Sequence, residues 1–162
     1  MLLRPSRPDI VDRAAGLTDG GTGLGLRTHR PEIVSGVEAC RLSVLAPEDD
    51  LGLSRGFRAA VARRVALHSE HATLISEYPA SEEPGLREVS HGGMPDDPRL
   101  AAVAAHVDMI SREPARASRA ALQALLDVGM SPAQIVALSE LVAFVCFQVQ
   151  VVEGLAAVNG AR

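Results

Sequence analysis

The stretch Ser131–Asn159, SPAQIVALSELVAFVCFQVQVVEGLAAVN, decides the fold. Its start is marked three times: Ser131 can cap, Pro132 suits the first helical position, and Gln134 completes an S-x-x-Q capping box. From Ile135 through Val152 apolar side chains cover almost the whole circumference, unbroken from Leu141 to Phe147. A helix apolar all round must be buried, in a core or in a membrane. Ser139, Glu140, Gln148 and Gln150 interrupt the run, so a clean span of about 18–20 apolar residues is missing. The segment predicts the central helix of a soluble α-helical protein, buried in part against another subunit.

A chain of 162 residues suits one domain with a sizeable core. Its net charge is −4 and it has no basic stripe, which argues against nucleic acid as a partner. All 16 basic residues are arginine. Without lysine there is no Schiff base, no pyridoxal-phosphate anchor and no phosphate-loop lysine, and no cofactor is expected. Trp is absent and aromatic residues make up 2% of the chain, so the core must rely on small side chains and close helix approach. Cys40 and Cys146 give no disulfide framework. The N-terminus MLLRPSRPDIVDR lacks an apolar signal region, and a cytoplasmic location is the expectation.

Residues 1–30 read as an N-terminal arm, with a helical turn around Pro8–Ala15 and a glycine-rich connector, GLTDGGTGLGL. That connector lacks the spacing and context of a nucleotide loop. The helical domain is expected over 31–162. Pro31 opens a helix to about Leu45, with Ile33, Val37, Cys40 and Val44 on one stripe and Cys40 as a small core residue. Ser54 caps a second helix, Arg55 to Tyr78, with Phe57, Val61, Val65, Ala72 and Ile75 on its apolar face. Residues 80–97, acidic and rich in Gly and Pro, read as an exposed loop. Asp97 caps a third helix with Val103, Val107 and Ile110 inward, and Pro114 begins a fourth that ends at the C-cap residue Gly129. About six helices result. A faint internal repeat at an offset of 77 residues lays LSRGFRAAVARRVALHSEHATLISEY over MSPAQIVALSELVAFVCFQVQVVEGL.

Three blocks carry a resemblance: RPDIVDRAAGL, LSRGFRAAVARRVAL and GMSPAQIVALSELVAFVCFQVQVVEGLAAV. In their order the chain resembles the AhpD-like, carboxymuconolactone decarboxylase superfamily, in its "CMD domain protein" branch. The resemblance implies an all-α fold and obligate oligomers. For the active peroxidase members it implies a Glu, a Cys-x-x-Cys and a His acting as a redox centre with a proton relay. Carried onto this chain, the Glu falls on Ala59, the cysteines on His71 and Leu74, and the His on Tyr78. The repeat copy offers Val136, Gln148, Val151 and Leu155. Dithiol chemistry needs two thiols within bonding reach, so the resemblance stops short of the redox centre.

The candidate site residues are His71, His68, Tyr78 and Cys146. His68 and His71 stand three residues apart and would share one helix face, compatible with a metal if His106, Glu70 or Glu77 supplied a further ligand. The reading taken is two histidines at the edge of a core, with no metal. Tyr78 lies two helical turns beyond His71, and the pair would line a small pocket. Cys146, flanked by apolar residues, reads as an inert core thiol. Glu140, Gln148 and Gln150 must pair, face a pocket or mark a wet edge, since an unpaired buried polar group costs about 1–3 kcal/mol. The function expected is small-molecule binding or an accessory role, in a homo-oligomer without dithiol peroxidase activity. Its rivals are an acid–base enzyme of carboxymuconolactone decarboxylase type using His71, and a one-cysteine scavenger at Cys146.

Overall fold

The computed structural model describes residues 9–160 apart from Glu70. Pro8 of the expected helical turn and Glu70 of the possible ligand set therefore lie outside the described residues. Among the described residues the chain is all-α, with nine α-helices and two short 3-10 turns. The central helix is as expected and becomes α9, Pro132–Gly160. Its capping box is formed: Ser131 Oγ accepts from the Gln134 amide at 3.2 Å, and Gln134 Oε1 accepts from the Ser131 amide at 3.0 Å.

α9 is the axis of the bundle. On it pack α1 (Ile10–Ala14), α2 (Thr22–Thr28), α3 (Pro31–Leu45), α4 (Arg55–Ala66), α7 (Pro98–Arg112) and α8 (Arg119–Asp127). Val61 and Val65 of α4, Val103 and Val107 of α7, and Leu138, Leu141 and Val145 of α9 form the buried centre. Length and composition alone would let α9 cross a membrane, at a mean hydropathy of 2.1 over its most apolar window. The polar interruptions therefore do not exclude a span as the sequence suggested. Half of that window is buried inside the bundle, the position of a core helix.

The helix starts follow their sequence signals. Ser54 Oγ accepts from the Phe57 amide at 3.1 Å, and Asp97 Oδ1 from the Leu100 amide at 2.8 Å. Gly129, with φ +82°, ends α8. The Met130 amide reaches back to the Leu125 carbonyl and the Gly129 amide to Leu126, a paired closure that a left-handed residue permits. The fourth helix begins later than expected, because Pro114–Arg116 forms a 3-10 turn and Ser118 caps α8 instead.

Other expectations fail through contacts that periodicity does not record. The helix expected over Arg55–Tyr78 breaks after Ala66 into a 3-10 turn, Leu67–Ser69, followed by α5, Ala72–Glu77. Ser69 Oγ donates to the Ala66 carbonyl at 2.7 Å and accepts from the His71 amide at 3.3 Å, so its side chain replaces helical backbone bonds. Arg63 Nη1 then donates to the carbonyls of Ile75 and Tyr78, drawing α5 back beside α4. The region expected as an exposed loop contains α6, Pro84–Ser90, which buries Leu86 and Val89 against α4. The glycine-rich connector contains α2, with Leu24 buried.

The repeat segments pack on each other as α4 and α9 but differ in form, one stopping at Ala66 and the other running 29 residues unbroken. α3 has its expected ends but buries no residue fully, and Cys40 is exposed rather than in the core.

Candidate functional site

The break after Ala66 separates the histidines that the sequence put on one helix face. His68, half-buried, sits in the 3-10 turn beside an ion pair that joins α4 to α7. Arg64, 2% exposed, donates to both oxygens of Asp108 at 2.8 and 2.7 Å, and to the Gly93 carbonyl at 2.6 Å. His68 Nδ1 lies 3.1 Å from Ser111 Oγ, and its Nε2 lies 3.6 Å from Asp108. Burial lowers the His68 pKa and the Arg112 charge adds to this, partly opposed by Asp108. His71 is half-buried and forms the N-cap of α5. No cluster of three metal-ligating side chains exists among the described residues.

Tyr78 closes α5 from the other end and is 3% exposed. Its hydroxyl donates to Oε1 of Gln148, which α9 holds fully inside the bundle. Burial pushes the phenol well above its ordinary value. This bond explains the one buried amide on α9, whereas Glu140 and Gln150 face solvent. We expect Tyr78→Phe to cost about 1–3 kcal/mol, because it strands the Gln148 carbonyl. Adding Gln148→Leu should recover most of that loss, and urea unfolding of the single and double variants measures both.

An open cleft lies elsewhere, between α7, α8 and α9, with a volume of about 650 Å³. Each helix gives it one stripe. Ser139, Val142, Ala143 and Cys146 come from α9, His106 and Ile110 from α7, and Arg119 and Leu122 from α8. Pro114, Ala117 and Ser118 of the connection complete the lining. Of the four candidate site residues, the cleft takes Cys146, and it also takes His106, which the sequence offers only as a possible metal ligand; His68, His71 and Tyr78 do not line it. Burial raises the Cys146 thiol pKa, which keeps it protonated and a poor nucleophile. The thiol is half-buried on a cleft wall rather than packed in a core.

His106 lines this cleft from α7. It is 6% exposed, and its two ring nitrogens are closed off from solvent and have no hydrogen-bond partner among the described residues. Burial alone lowers its pKa, so the ring is held neutral. In sequence it stands beside the apolar stripe of Val103, Val107 and Ile110 and reads only as a possible third metal ligand for His68 and His71. The signal was its polarity beside that stripe. At the mouth, Arg119 is exposed and has no ion-pair or hydrogen-bond partner among the described residues. The arrangement can enclose a small molecule in largely apolar walls, with the His106 ring among the side chains that form them.

No family profile matches the sequence, and no curated protein matches it in a sequence comparison. Among solved structures it is similar to an uncharacterised peroxidase-related protein with an alkylhydroperoxidase AhpD core, from Ralstonia eutropha. The likeness spans 93% of this chain and 88% of that one, with a TM-score of 0.59 at 17% identity. At that identity the likeness speaks for architecture, and the architecture is all-α and AhpD-like.

Proposed function

We propose that this chain is a small-molecule binding or accessory protein on an AhpD-like fold, that it lacks a dithiol peroxidase centre, and that the cleft between α7, α8 and α9 is its binding site. The observation that supports the reading is the buried, unpartnered ring of His106. An unpaired buried polar group costs about 1–3 kcal/mol, and a bound molecule that hydrogen-bonds the ring would offset that cost. Replacing it by leucine tests this. His106→Leu is expected to melt at or above the wild-type temperature and to lose the thermal shifts that a panel of small organic molecules gives the wild type.

The ring also carries a pH signature. Its folded pKa is depressed, so its contribution to stability is present above the unfolded value of about 6.5 and is lost as pH falls through the folded value. The leucine variant should lose less stability than the wild type between neutral and acidic pH. A melting temperature that drops on His106→Leu, with ligand shifts unchanged, would show a structural histidine and sink the reading.

The acid–base enzyme is the second reading, and the same ring favours it. A neutral imidazole in an apolar cleft can take a proton from a molecule bound beside it. His71, the residue expected to take this role, lies outside the cleft lining. Deuterium exchange from solvent into a bound molecule, lost in His106→Leu, would separate catalysis from binding.

The proposal includes a homo-oligomer in the cytoplasm. Val136, Ala143 and Phe147 recur on one exposed stripe of α9, with Val136 57% and Phe147 42% exposed. Ile33 and Leu42 of α3 are half exposed as well. Light scattering is expected to give a dimer or larger, and a stable 17.0 kDa monomer at micromolar concentration would refute this part.

A further inference from the structure

We infer that the cleft takes a small amphipathic organic carboxylate, its anion at the mouth against Arg119 and the start of α8, and a hydrogen-bonding group inside against His106. The inference rests on the binding reading above and names the ligand's chemistry. The charge balance comes first. The chain carries a net −4, yet none of the side chains lining the cleft is acidic and the one formal charge among them is Arg119. Among the side chains of the wall an anion meets a cation and no carboxylate.

The backbone adds to this selection. Ser118 Oγ accepts from the Ala121 amide at 3.3 Å, and the Leu122 amide donates to the Ser118 carbonyl. The amides of Arg119 and Ala120 precede the first internal bond of α8, so the positive end of a nine-residue helix opens on the cleft mouth. A carboxylate there can pair with a planar guanidinium and with backbone N–H groups together.

The interior is of a different kind. Ile110, Leu122 and Val142 make it apolar, and His106 sets into that wall a buried imidazole without a partner among the described residues. A hydrocarbon body ending in a hydroxyl or carbonyl would satisfy both. As a neutral ring, His106 can donate from one nitrogen and accept at the other, so a hydroxyl suits it in either sense. A purely apolar anion would leave the ring stranded, and a neutral alcohol would leave the mouth unread.

Three probes separate these terms in isothermal titration calorimetry near neutral pH: omega-hydroxyoctanoate, octanoate, and the methyl ester of omega-hydroxyoctanoate. The hydroxy acid is expected to bind tightest. Arg119→Gln, at an exposed position, should weaken both acids about tenfold and leave the ester unchanged. His106→Leu should weaken the hydroxy acid and the ester while leaving octanoate unchanged. If the ester binds as tightly as the acid, or Arg119→Gln changes nothing, the carboxylate assignment is wrong while the binding reading stands. If none of the three binds at millimolar concentration while the small-molecule panel still shifts the melting temperature, the assignment falls alone; if the panel is silent too, the binding reading falls with it.

Discussion

Replacing Arg58 with methionine is expected to destabilise the fold by about 3–5 kcal/mol, because three carbonyls would each lose a charged donor at about 1–3 kcal/mol apiece, less some relief by water. Arg58 is 2% exposed on α4. Its guanidinium donates to the carbonyls of Leu53 at 2.9 Å, Val44 at 2.9 Å and Asp50 at 3.0 Å, which tie the end of α3 and the 46–53 loop to α4. Burial lowers its pKa, opposed by the more distant charges of Asp50 and Glu140. Methionine keeps the aliphatic stem and its packing, so the loss reports the hydrogen bonds. Arg58→Lys should recover little, since one ammonium cannot serve three acceptors set in a fork. Urea midpoints at unchanged slope measure the effect, and a loss below about 1 kcal/mol would show that the loop holds without its anchor.

Arg64→Met comes second, at about 2–4 kcal/mol, below the usual cost of breaking a buried pair because the Asp108 side chain is one-third exposed. The variant also leaves the Gly93 carbonyl without its donor. It has a spectroscopic signature as well. The Arg64 charge is one of the influences that lower the pKa of His68, and Asp108 is the one that raises it. With the arginine gone and the carboxylate unpaired, His68 should titrate at higher pH, which NMR of its ring protons records. An unchanged His68 titration would mean that the three groups are not electrostatically coupled. A chain whose cations are all arginine is consistent with both cases, since each needs a fork of donors rather than a point charge.

These anchors also mark where the sequence could be read and where it could not. Pro31, Asp97–Pro98, Ser131–Pro132 and Gly129 set helix ends by side-chain and backbone chemistry within a few residues, so α3, α7 and α9 and the end of α8 were legible. The break at Leu67–His71 was not, because apolar periodicity runs through it and the causes are a hydroxyl competing locally and an arginine reaching from the previous helix. α6 was hidden for another reason. A seven-residue helix with two buried apolar side chains has little intrinsic tendency to form and is held by α4.

The candidate site divides in the same way. Cys146 could be marked from its surroundings in sequence, but its cleft required α7 and α8 to be placed beside it. His106 stood out in sequence only as a possible metal ligand, and it was the packing that left its ring nitrogens without partners among the described residues. Tyr78 and Gln148, 70 residues apart, found each other only through the fold.

α8 buries one residue, Leu125, and leaves Leu122 and Leu126 45% and 39% exposed. It hangs between an extended Ala117–Ser118 and the left-handed Gly129, with little apolar area holding it down. Segments of this kind open locally at a free energy far below that of global unfolding. We expect α8 to open ahead of the rest of the bundle, so that the width of the cleft varies with it. Entry needs no permanent portal, and a molecule that fills the space will act as a clasp, slowing amide exchange along α8 while the rest of the bundle keeps its own rhythm.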